Sequence, residues 1–113
     1  MKTKILSLSN NKDFKLILTG KKISNKYLSI FFKELSDKSI KKLNISFIVK
    51  KKIGNAVIRN KIKRRLRNIM NQITIISKIN FKYSYLIIVK QSINNAKFID
   101  IKNALIKDYN TIK

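Results

Sequence analysis

Ile58, Ile62, Leu66, Ile69 and Ile73 recur at steps of four, four, three and four. That spacing keeps all five within one stripe of a 3.6-residue helix, which needs a core to cover it. The rest of the same helix is cationic. Arg59, Lys63 and Arg67 follow one another at i, i+4 and i+8, and Asn60 and Arg64 form a second row beside them. Like charges four residues apart repel, so the pattern weakens the helix unless something negative lies opposite. Solvated helix faces usually mix signs, yet no Asp or Glu occurs between Asp37 and Asp100. The segment therefore reads as a helix that holds one face against a core and offers the other to a polyanion.

The chain as a whole supports that reading. Its 113 residues carry 27 Lys and Arg against 5 Asp and Glu, a formal net charge of +22. A compact domain with that imbalance repels itself and calls for a polyanionic partner. A coding bias toward Lys, Ile and Asn would not by itself strip out the acidic residues. No basic amphipathic helix with a bulky aromatic face appears, so nucleic acid is favoured over a membrane surface. No apolar run is long enough to span a bilayer, and the N-terminal residues do not read as a secretory signal. The expected location is the cytoplasm. The expected organisation is a single RNA-binding domain over residues 1–113, with about the first nine residues and the last few flexible.

Punctuation is sparse, with no Pro and glycine only at Gly20 and Gly54. Asn10 and Asn11 suit the cap of a short helix carrying Asp13, Phe14, Ile17 and Leu18. Gly20 would end that helix in a left-handed conformation. Residues 27–35 and 43–50 read as strands, paired antiparallel through the polar connection 36–42. Gly54 and Asn55 turn the chain into the basic helix, with Asn55 as cap. Residues 71–83 are ambiguous between an extension of that helix and a loop. Residues 85–89 form a continuous apolar run, as in a strand covered on both faces. Phe98, Ile101, Leu105, Ile106, Tyr109 and Ile112 give a C-terminal amphipathic helix. The order α-β-β-α-β-α specifies a two-layer α/β domain.

Catalytic chemistry is hard to build from this composition. There is no His and no Cys, and the acidic residues Asp13, Glu34, Asp37, Asp100 and Asp108 are scattered. A two-metal nuclease needs carboxylates converging on ions about 4 Å apart, and a metal-free one needs a general base. No catalytic or metal-ligating residue is assigned. Binding chemistry is plentiful. Lys and Arg neutralise phosphates and release counterions, Arg adds forked hydrogen bonds, and Phe14, Phe31 and Phe47 could stack on an unpaired strand.

The stretch Lys51-Lys52-Ile53-Gly54-Asn55-Ala56-Val57-Ile58-Arg59-Asn60-Lys61-Ile62-Lys63-Arg64 resembles the signature of the bacterial ribonuclease P protein subunit. Asn11-Lys12-Asp13-Phe14 followed by Gly20 resembles that family's first helix, and Tyr85-Leu86-Ile87-Ile88-Val89-Lys90 its third strand. The resemblance implies the fold of the second domain of ribosomal protein S5, with a left-handed β-α-β crossover that the general handedness rule would not give. It implies a protein that partners a catalytic RNA and helps it cut the 5′ leader from precursor tRNA, with the RNA performing the hydrolysis and requiring Mg2+; no cofactor is assigned to the protein itself. RNA-binding residues carried over by the motif are Lys51, Lys52, Arg59, Asn60, Lys61, Lys63, Arg64 and Arg67. Phe14 and Phe31 are carried over as aromatics of the leader cleft. Lys61 stands where the family has a further Arg, which keeps the charge and loses a forked donor. Leu18 stands at a position often aromatic, and Lys90 and Gln91 depart from the usual exit of the third strand. The rival readings are a ribosomal or other structural RNA-binding protein, a helix-turn-helix DNA binder, and an independent nuclease.

Overall fold

Strand 83–89 carries apolar residues toward both faces, and a strand of that kind must be covered on both. It sits at the centre of the sheet. The computed structural model describes residues 5–7, 11–35, 43–76 and 79–112. In chain order these form β1 (Ile5–Ser7), α1 (Asn11–Leu18), β2 (Lys21–Ser24), β3 (Leu28–Glu34), β4 (Leu43–Ile48), α2 (Ala56–Ile76), β5 (Tyr83–Val89) and α3 (Phe98–Thr111), with short 3-10 turns at Lys51–Ile53 and Gln91–Asn95. The five strands lie in the order β1-β4-β5-β3-β2. The expected α-β-β-α-β-α succession is present, and the short strands β1 and β2 extend the sheet at its two edges. The expected cap at Asn10, the connection 36–42 and most of the first nine residues lie outside the described residues.

One pairing differs from expectation. β3 and β4 are not a hairpin: β5 lies between them, antiparallel to β3 and parallel to β4. β4 and β5 are therefore joined through α2, a parallel crossover of the kind the resemblance implies. The reason lies in β5, whose two apolar faces are satisfied only by neighbours on both sides and helices above and below. β3 and β4 place polar residues on one face, Ser29 and Lys33 in β3 and Asn44 and Ser46 in β4, and are flanked by the minor strands.

α2 and α3 cover one face of the sheet. Leu66, Ile69, Met70 and Ile73 of α2 and Ile101, Leu105 and Tyr109 of α3 pack there against Leu28, Ile30, Phe32, Ile45, Phe47, Tyr85 and Ile87. Burying each large aliphatic chain contributes about 1.5–3 kcal/mol. A like-charge pair at i, i+4 costs only about 0.2–0.5 kcal/mol, so the buried stripe holds α2 in place despite its cationic arc. Ile58, expected in that stripe, is 41% exposed. It folds back over Gly54 instead, where an added Cβ would lie 2.8 Å from the Ile58 Cγ2. Asn55 caps the helix as expected, its Oδ1 accepting from the Ile58 N–H at 3.0 Å. The ambiguous stretch resolves as helix to Ile76.

Asn25 fastens the β2–β3 turn. Its Oδ1 accepts from the N–H groups of Tyr27 and Leu28 at 2.7 and 3.1 Å, and its Nδ2 donates to Asp108 Oδ2 of α3 at 2.7 Å. The aromatic core leans on this corner. Tyr85 and Tyr109 meet edge-on with ring centroids 5.2 Å apart. Burial, and after it the neighbouring Tyr83, pushes the Tyr85 phenol well above its usual range, so it stays neutral and donates to the Asn80 carbonyl at 2.6 Å.

α1 crosses the other face of the sheet over β3 and β5. Gly20, which follows it, is not left-handed as expected. Glycine is needed there for proximity: a Cβ would run into the Phe32 carbonyl oxygen and lie 2.8 Å from the Lys33 Cβ. Under α1, Ser84 is fully buried and its hydroxyl has no partner among the described residues. An unpaired buried hydroxyl opposes folding by about 1–3 kcal/mol. Ser84→Ala is therefore expected to raise the melting temperature in a thermal scan. A fall would mean that the hydroxyl is satisfied.

Candidate nucleic-acid interface

The sheet separates two surfaces, one built on α2 and one beneath α1. On α2 the buried stripe turns the cations outward in order. Arg59, Lys63 and Arg67 run down one flank, Asn60 and Arg64 along the crest, and Lys61, Arg65 and Asn68 down the flank that faces α3. Asn60, Lys61, Lys63, Arg64 and Arg67 are exposed. Among the described residues, Lys61, Lys63, Arg64 and Arg65 have no carboxylate partner. Arg59 is half-buried, and its Nε is closed off from solvent without an acceptor. Among the described residues no acceptor meets that Nε.

Lys51 and Lys52 extend this surface from the 3-10 turn before α2. Both are exposed, while Ile53 between them and Gly54 plugs into the core. Asn94 Nδ2 donates to the Ile53 carbonyl at 3.0 Å and ties the turn to the segment after β5. The basic pair is therefore presented from a fixed platform. Lys90 joins the same end of the sheet: its N–H donates to the Tyr27 carbonyl at 2.8 Å and its Nζ to the Asn25 carbonyl at 2.7 Å.

Beneath α1 the surface is apolar with small hydroxyls. Phe14 and Phe31 are both half-buried in one cluster with Ile17, Leu35 and Leu86. α1 has eight residues, about 12 Å of helix, whereas the seven residues of β3 extend about 23 Å. Part of the face stays open. The register places Ile48, Ile88, Ser29 and Ser24 in one row across it and Ser46, Leu86, Phe31 and Lys22 in the next. Lys22 Nζ lies over the Phe31 ring, 5.4 Å from its centroid, and the Ser24 and Ser29 hydroxyls are 2.9 Å apart. The result is an aromatic and aliphatic groove with a cation at its side, suited to unpaired bases and their phosphates.

Of the expected aromatics, Phe14 and Phe31 share this groove and Phe47 does not. Phe47 is 8% exposed and belongs to the opposite face, opposite Ile87 in the core. Leu18 is 45% exposed at the end of α1. Sequence reasoning missed Lys22, because four residues with two lysines give little strand signal, and it missed Arg65 and Phe98, which line a groove between α2 and α3. The acidic groups stand apart: Asp13 is buried in α1, Glu34 pairs with Lys82 at 3.5 Å, and Asp108 serves Asn25.

Comparison with known proteins gives a consistent picture. The family model described as Ribonuclease P matches residues 2–113. The ribonuclease P protein component of Mycoplasma mycoides subsp. mycoides SC is 37% identical over 110 residues, covering 94% of each chain. That of Listeria innocua is 34% identical over 100 residues, covering 88% of this chain and 81% of the relative. Among solved structures, the Staphylococcus aureus RNase P protein superposes with a TM-score of 0.77 at 26% identity, covering 94% of this chain and 93% of that one. The Thermotoga maritima RNase P protein shares the fold, with a TM-score of 0.79 at 24% identity over 96% of this chain and 98% of that one.

Proposed function

The chain belongs to the ribonuclease P protein family and is a protein subunit of that endoribonuclease; we propose that it grips the catalytic RNA with the cationic arc of α2 and the 5′ leader of precursor tRNA in the groove under α1. In this reading the RNA subunit carries the Mg2+ ions and cuts the phosphodiester, and the protein acts in the cytoplasm as a binding partner with no cofactor of its own. The observation that carries it is the exposure of the signature residues Asn60, Lys61, Lys63 and Arg64, with no carboxylate against Lys61, Lys63 or Arg64 among the described residues. Arg59, Arg67, Lys51 and Lys52 border the same arc. A ribosomal structural protein would share the charge, but the full-length family match favours the processing enzyme.

The physical logic is electrostatic first. An RNA enzyme must bring a second polyanion against itself, and a cationic protein between them releases counterions from both. Leaders differ in sequence, so they are best held by stacking and charge rather than by base-edge readout. Phe14, Phe31 and the flanking Lys22 supply those contacts.

The test is reconstitution with the cognate RNA subunit. Adding the protein is expected to tighten binding of leader-bearing precursor tRNA and to lower the Mg2+ concentration needed for cleavage. No change in either quantity sinks the proposal. Phe14→Leu, which retains an apolar side chain in the cluster, is expected to weaken leader-bearing substrate about tenfold, the loss of one stacked base, and to leave leaderless tRNA nearly unaffected. Equal losses for both would remove Phe14 from the leader contact.

A further inference from the structure

Between α2 and the start of α3 lies a groove that the leader reading does not use. Its first compartment, about 360 Å3, is lined by Lys61, Arg64, Arg65, Asn68 and Phe98. A second, about 250 Å3, shares Asn68 and Phe98 and adds Asn71, Gln72 and Ile75. The half-buried ring of Phe98 thus stands between a compartment walled by three cations and one walled by three amides and an aliphatic side chain. We infer that this groove holds an unpaired nucleotide of the catalytic RNA, with its base stacked on Phe98 beside Asn68, Asn71 and Gln72, and its phosphates on Lys61, Arg64 and Arg65.

The chemistry favours RNA over other occupants. Amide side chains offer donors and acceptors together, which suits a base edge. Guanidinium groups take phosphate oxygens in forked pairs and stack on bases. Among the described residues no carboxylate lines either compartment, so three cations at spacings of three and one residues stand there without a carboxylate partner. Ile75, 61% exposed, offers an apolar floor for a planar ring. The spacing of Lys61, Asn68 and Ile75 repeats every seven residues, which keeps them along one side of the helix.

Position decides which RNA. α2 and α3 cover the face bearing Ile30, Phe32, Ile45 and Ile87, while Phe14 and Phe31 lie on the other. A leader held under α1 is on the far side of the sheet from Phe98. The groove therefore faces the RNA that embraces α2, which is the RNA subunit. This inference rests on the proposed function above and assigns a second, structured contact to that partner: Phe98, Arg65, Asn68, Asn71 and Gln72 lie outside the signature.

A photoreactive azide carried on the ring at position 98 tests it directly in the reconstituted holoenzyme. The expected result is a crosslink to one or a few unpaired nucleotides of the RNA subunit. In parallel, Phe98→Leu, which keeps the packing against the core, and Arg65→Gln are each expected to weaken RNA-subunit binding about tenfold while preserving the preference for leader-bearing over leaderless tRNA. A crosslink to precursor tRNA or to paired nucleotides alone, or wild-type affinity in both variants, overturns the inference. If the wild-type protein fails to bind the RNA subunit at all, it is the proposed function that falls.

Discussion

Arg59→Gln, Lys63→Gln and Arg64→Gln combined are expected to cost about a hundredfold in affinity for the RNA subunit at physiological salt and to leave the fold intact. Each lost phosphate contact removes about 0.7–0.9 from the slope of log K against log salt. Three contacts flatten it by about 2–3 units, and at about 0.15 M salt that slope corresponds to roughly two decades of binding. Stability should move the other way. The three positions lie outside the buried stripe of Leu66, Ile69, Met70 and Ile73, and Gln propagates a helix well. Removing the Arg59–Lys63 repulsion at i, i+4 is worth a few tenths of a kcal/mol. Binding titrations across a salt series, with thermal melts of the same variant, check both arms. An unchanged salt slope would reduce the arc to solvated surface. A lowered melting point with an unchanged slope would assign these cations to the fold instead.

The interface on α2 was legible because helical periodicity and charge separate cleanly on one element: residues spaced for the core fix where the others point. Even so, the spacing places Ile58 in the stripe, where the helix start bends its side chain back over Gly54 instead, and it omits Met70, which is buried. The groove under α1 was legible only in part. Phe14 and Phe31 follow from their aromatic chemistry and from the family resemblance outside the signature, while Lys22 depends on β2, an edge strand too short and too polar to show alternation. Edge strands gain little from burial and carry lysines that discourage further pairing. The strand order was out of reach for a different reason. Adjacent strands in sequence usually pair, but β5 carries apolar residues on both sides and takes the centre, separating β3 from β4. The periodicity of α3 places Phe98 on its apolar face, in keeping with its half-burial against the core; that it also walls a groove depends on how far α3 stands from α2, and no local pattern encodes that distance.

The glycine that sets α1 against the sheet supplies the second large effect. Gly20→Ala is expected to destabilise the domain by about 3 kcal/mol, near the upper end for an overpacked contact, and to lower the melting point on the order of 10–20 °C for a domain of this size. The added methyl would meet the Phe32 carbonyl, lie 2.8 Å from the Lys33 Cβ and 3.2 Å from the Ile17 carbonyl. Phe32 cannot yield, because β3 is paired on both sides, with Lys21 of β2 and Tyr85 of β5 opposite it. The strain is therefore relieved by lifting the end of α1, and with it Ile17 and Phe14, away from Leu86 and Phe31. This gives the variant a signature that a general loss of stability lacks. Measured well below its melting point, it should bind the RNA subunit through α2 as the wild type does, while its preference for leader-bearing substrate collapses toward unity. Wild-type stability together with an unchanged preference would show that α1 does not pack so closely on β3. Loss of RNA-subunit affinity in parallel with the leader preference would show that the two faces of the sheet do not act separately.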